Sequence, residues 1–177
     1  MGIFKKKGKT KLTYSLIAKI FHWGTVAIFA YGVFTQVDGD VIQLENVSLL
    51  YSEITFAAVF LVILAMRFIY MNRTQTTSLP TKTPKWQKQA ANLVHLAMYA
   101  SLASIALSGL AVAIVFHLGF KTGLIIEIAV ELHELTISSS YWLIIAHIFA
   151  ALYHRMLGDG VWSSMTPFWK EKSRSEI

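Results

Sequence analysis

LHELTISSSYWLIIAHIFAALYHR, residues 132–155, holds twenty consecutive uncharged positions between Glu134 and Arg155. A helix crosses the hydrocarbon core of a bilayer with about 20 mostly apolar residues, so this stretch reads as a membrane span. Three further uncharged runs lie outward from it: 18 residues between Lys19 and Asp38, 13 between Glu53 and Arg67, and 32 between Lys88 and Lys121. The shortest reaches spanning length only if Glu53 lies in or at the edge of the membrane, giving a run from about Asn46 to Met66. The spacing predicts four helices near 15–36, 47–70, 89–117 and 133–157. The expected fold is all-α: a membrane four-helix bundle forming one domain over residues 1–177.

Composition agrees. Of 177 residues 55% are hydrophobic and 15% charged, against about 25% charged in soluble domains. There is no cysteine, which excludes a disulfide framework, a thiolate nucleophile, Cys-ligated zinc and iron–sulfur clusters. The net charge of +6 does not indicate a nucleic-acid partner, because the basic residues flank the apolar runs. Fifteen of the sixteen Lys and Arg fall on one side, in the N-terminal segment, between helices two and three, and after helix four. The other side has Lys121 against Asp38, Asp40, Glu45, Glu127, Glu131 and Glu134. The positive-inside rule then places both termini in the cytoplasm.

The N-terminal helix is read as retained, since cleavage near Ala30-Tyr31-Gly32 as in a signal peptide would discard an intramembrane histidine. Residues Gly119–Leu132 are expected to lie along the outer interface as a short amphipathic piece. Thr76–Pro84 reads as a polar turn.

Ionisable side chains inside a membrane are costly and mark functional positions. His133, His147 and His154 follow one another at spacings of 14 and 7, which on a helix fall about 40° and 20° short of whole turns and so form one stripe. His133 and His147 are about 21 Å apart along the axis, too far for one metal but suited to two cofactors, one per leaflet. His22 lies ~12 Å and His147 ~15 Å inside the cytoplasmic ends of their helices. Matched imidazoles on two helices can bind haem iron between them, and without cysteine such a haem is b-type. The plainer alternative for these side chains is interhelical hydrogen bonding.

Tyr14-Ser15-Leu16-Ile17-Ala18-Lys19-Ile20-Phe21-His22-Trp23, Leu64-Ala65-Met66-Arg67-Phe68, Val94-His95-Leu96-Ala97-Met98-Tyr99 and Leu132-His133-Glu134 with His147 and His154 resemble the bacterial cytochrome b561 family. The resemblance covers roughly Tyr14 to Trp169, and its specific parts are His22-Trp23 and the 14-residue histidine pair. It implies a multi-pass protein of the bacterial inner membrane, with two stacked b haems exchanging electrons with a quinone. The family includes a branch that oxidises superoxide and reduces ubiquinone. By position, the resemblance implies that His22 and His147 ligate the cytoplasmic-side haem, that His133 ligates the periplasmic-side haem, and that His154 lies on the quinone side of the inner haem.

One position departs from the pattern. The family's remaining ligand stands 14 residues before the Arg that ends helix two, and counting back from Arg67 gives Glu53. An empty outer pocket is the leading expectation by a narrow margin, ahead of a haem on His133 alone and a His133–Glu53 haem. His117 reads as an interfacial residue ahead of a substitute ligand. Arg67 and Arg155, placed at inner helix ends, are candidates for haem propionates or for positive-inside anchors. His95, near the inner end of helix three, is a candidate for a propionate or quinone contact, or for packing. Small residues of helix three, among them Ser101, Ser104, Ser108 and Gly109, allow close approach of a neighbour or a macrocycle. The leading functional expectation is a cytochrome moving single electrons between an outer redox partner, or a small oxidant, and a quinone. The rivals are a haem-bearing anchor for a soluble redox enzyme, such as a hydrogenase or formate dehydrogenase, and a haem-free helical anchor.

Overall fold

The structure, a computed structural model, describes residues 13–35, 44–74, 79–80 and 83–170. The elements are α1 (Leu16–Thr35), α2 (Val47–Thr74), α3 (Lys85–His117), α4 (Leu124–Leu157) and the short α5 (Val161–Met165), with no strand among the described residues. The first four are long and apolar enough to cross a membrane. Lys5 to Lys11, Asp38, Asp40, Lys82, Lys172, Arg174 and most of the Thr76–Pro84 turn lie outside the described residues.

Neighbours in sequence are neighbours in space: α1 packs on α2, α2 on α3 and α3 most extensively on α4. The α3–α4 seam is built from small hydroxyls. Ser101 and Ser140 meet side chain to side chain, and Ser140 Oγ also donates to the Thr136 carbonyl. Lipid offers no hydrophobic drive between helices, so close packing and such bonds hold the pair. Two apolar clusters complete the interior. Phe60, Leu64, Leu102 and Ala106 join α2 to α3 in the middle of the bundle. Leu50, Val112, Ala113, Phe116 and Ile126 gather α2, α3 and α4 at the end carrying the α3–α4 turn.

Helix four differs from its expected bounds. The stretch assigned to a separate interfacial piece is instead the first turns of α4, which starts at Leu124 after Gly123. Glu127 in the first turn complements the helix dipole, and Ile126, 3% exposed, anchors that turn in the apolar cluster. The preceding helix closes with bonds from Gly119 N to Phe116 O and Phe120 N to Val115 O, a Schellman turn. Helices two and three are also longer than expected, α2 running to Thr74 and α3 starting at Lys85 directly after Pro84. Ser15 and Tyr70 hydroxyls meet at 2.9 Å and tie the end of α2 to the start of α1.

Candidate functional site

Four helices bring ionisable groups to one level in the half of the bundle that carries α5. His22 comes from α1, Arg67 from α2, His95 from α3 and His147 from α4. The rings of His22 and His147 have centroids 6.4 Å apart, and His95 stands edge-on to His147 at 5.5 Å. The longer α2 puts Arg67 seven residues before its helix end, or about 10 Å inside. It is therefore not at the helix terminus, as expected from sequence. Its Nη2 donates to His22 Nδ1 at 2.8 Å and its guanidinium lies 5.2 Å from the Tyr99 ring centre. Its Nε is buried and has no hydrogen-bond partner among the described residues. His95 likewise sits ten residues, about 15 Å, into α3, so it belongs to the histidine group and not to the helix end. Arg155 is not part of this group. It is exposed, with its guanidinium 4.8 Å from the Trp162 ring centre.

Towards the opposite end, a cavity of about 530 Å³ opens between the helices, with His133 and Glu53 in its wall. Ser108 fixes the His133 ring. The single Ser108 hydroxyl proton goes to the backbone carbonyls of Ser104 (2.7 Å) and Ile105 (3.0 Å), while Thr136 donates its own to the His133 carbonyl. With its proton directed to those carbonyls, Ser108 Oγ can accept from His133 Nδ1, 2.8 Å away. In that arrangement Nδ1 carries the proton and Nε2 keeps its lone pair. Gly109 lies beneath this ring; a Cβ there would stand 3.2 Å from His133 Cε1, so the ring would have to shift by a few tenths of an ångström. His117 is exposed at the end of α3 and takes no part in the cavity wall.

The third arrangement lies where α4 ends. Gly158 (φ 61°) and Gly160 (φ 88°) adopt left-handed backbone conformations that a side chain disfavours. They fold Asp159 back onto the helix. Asp159 Oδ2 accepts from His154 Nδ1 at 2.6 Å and Oδ1 accepts from the Val161 N–H at 3.1 Å. The pair is partly buried. Helix α5 then returns to α1, where Trp23 Nε1 donates to the Met165 carbonyl at 3.3 Å. Asp159 was not legible as a site residue. The signal lies in its two flanking glycines, five residues beyond a histidine at a helix end.

The family model of the prokaryotic cytochrome b561 matches residues 13–168. The chain belongs to that family. No curated protein and no solved structure matches it. The protein is a multi-pass membrane b-type cytochrome of electron transfer.

Both histidine sites of the cytochrome suit haem. A metal–nitrogen bond of about 2 Å on each side, extended to the ring centres, puts two axial imidazoles roughly 6 Å apart, close to the His22–His147 separation of 6.4 Å. No extended contact joins α1 to α4, so their approach is made through side chains. The orphaned Arg67 Nε is an unused donor beside them. One adjustment is needed. An imidazole that ligates through Nε2 carries its proton on Nδ1, and Arg67, which only donates, must then release His22. In the cavity, the Ser108 contact of His133 is compatible with a proton on Nδ1 and a free Nε2.

Proposed function

We propose that this cytochrome carries a b haem between His22 and His147 in the cytoplasmic half of the inner membrane and exchanges electrons with a quinone at His154. The observation that carries the reading is the facing of His22 and His147 across the bundle at 6.4 Å. The haem supplies one-electron chemistry when bound, while the protein supplies ligands, burial and orientation. Arg67, once released from His22, has donors for a propionate, with Tyr99 beneath it. His95 packs against His147 and limits its rotation. The electron donor is a periplasmic or membrane redox partner; the lipid bilayer and the quinone complete the expected partners. The basic residues between α2 and α3 and after α4 support the cytoplasmic placement of this end.

Quinone reduction takes two electrons and two protons, and quinol oxidation returns them. In its neutral form, with Nδ1–H donating to Asp159, His154 accepts a proton from a quinol hydroxyl at Nε2. The resulting imidazolium, steadied by the Asp159 carboxylate, can return one to a quinone carbonyl. His154 is ~10 Å beyond His147 on nearly the same helix face, near enough to keep electron and proton transfer together.

His154→Ala is expected to slow quinone-dependent haem oxidation by about 100-fold or more, with the haem spectrum unchanged and exogenous imidazole restoring part of the rate. Asp159→Ala is expected to slow it less, roughly tenfold, through the mispositioned ring. Stopped-flow oxidation of the reduced protein by a soluble quinone measures both. Wild-type rates in both variants would place quinone chemistry elsewhere.

A further inference from the structure

We propose that the second cavity holds a b haem on one imidazole, His133, and that its other face opens to a small exogenous ligand when the iron is ferrous. The family supplies the haem; the coordination is read from this chain. The cavity, at about 530 Å³, falls within the range of about 300–1,000 Å³ for cofactor and ligand pockets. All four long helices contribute to its wall, which contains a single histidine. Of the other five, His22, His95 and His147 are grouped in the other half, His154 is bonded to Asp159, and His117 is exposed outside the cavity. No second axial imidazole is therefore within reach.

The one that is present is prepared for ligation. Ser108 Oγ, 2.8 Å from Nδ1, can accept its proton and leave the Nε2 lone pair for a metal, and such second partners raise ligand basicity and fix ring direction. Gly109 leaves the ring its seat.

Glu53 lines the same cavity from α2, half-buried, with no hydrogen-bond or ion-pair partner among the described residues. A carboxylate in apolar surroundings needs a compensating charge. Ferric iron with its porphyrin carries a net positive charge and supplies it. Reduction by one electron neutralises that charge and removes the attraction. The carboxylate is a hard oxygen donor, matched poorly to ferrous iron, so the position opposite His133 opens on reduction.

The test uses the full-length protein purified in detergent, with carbon monoxide as the probe. The expected result is two haems per chain, one low-spin, and one CO bound per chain after dithionite reduction. Glu53→His is expected to abolish CO binding and convert the second haem to a low-spin signal in paramagnetic resonance. Ser108→Ala is expected to weaken retention of the CO-binding haem by about 10- to 100-fold while the low-spin haem stays. One haem per chain with no CO binding, or two low-spin haems that ignore CO in the wild-type protein, would overturn the proposal. The wild-type stoichiometry decides even if a variant fails to fold, and none of these readouts depends on quinone activity at His154.

Discussion

His147→Ala is expected to abolish the sharp low-spin α-band of the inner haem and lower haem content by one equivalent per chain. His22→Ala should do the same, since each imidazole fills one of two axial positions and nothing covalent holds a b haem. His95→Ala separates ligation from proximity. The His95 ring is nearer to His147, at 5.5 Å, than His22 is at 6.4 Å. Two imidazoles about one iron need roughly 6 Å between centres, with bonds of about 2 Å each, and the closer pair is set edge-on. Loss of His95 should therefore leave the band in place. Reduced-minus-oxidised spectra with haem quantification measure all three variants. A band that survives His22→Ala but vanishes in His95→Ala would reassign the ligand.

Ser140→Leu is the second change with a large expected effect, and it acts through the fold. Ser140 is 1% exposed and meets Ser101 across the tightest helix pair. Deleting its hydroxyl as Ser140→Ala loses an interhelical bond worth about 0.6 kcal/mol, at most ~1.7. Inserting a leucine instead wedges α3 from α4 and costs about 1–3 kcal/mol of overpacking, which lowers Tm by roughly 2–12 °C. The displacement reaches Ser108 and His133 on the same seam, so haem content should fall with stability. Ser139→Leu, one position earlier on an exposed face, should cost little. Thermal unfolding in detergent compares the two, and equal Tm values for the leucine variants would show that the seam is not close-packed.

Much of this architecture was legible because a bilayer leaves few alternatives. A backbone without water must bond to itself, so long uncharged runs are helices, and the four runs bounded by Lys19, Arg67, Lys88 and Arg155 became α1 to α4. Their ends were less legible. The apolar signal fades at the interface, while α2 and α3 continue through polar residues to Thr74 and from Lys85. That difference moved Arg67 and His95 inward from helix ends into the histidine group. The start of α4 was missed because Glu127, Glu131 and Glu134 break the uncharged run without breaking the helix.

The sequence by itself determined the periodic quantities: the number of spans, the single stripe of His133, His147 and His154, the absence of cysteine, and the departure at Glu53. Each depends only on 3.6 residues per turn and on the cost of charge in lipid. Tertiary structure alone decided which partner each ring meets at Nδ1. Arg67 donates to His22 Nδ1, Ser108 accepts from His133 Nδ1, and Asp159 accepts from His154 Nδ1. Arg67 and Ser108 lie on helices other than those of their histidines, and Asp159 is folded back past a helix end. A tautomer is set by the partner a ring meets in space, and no spacing along the chain encodes that partner.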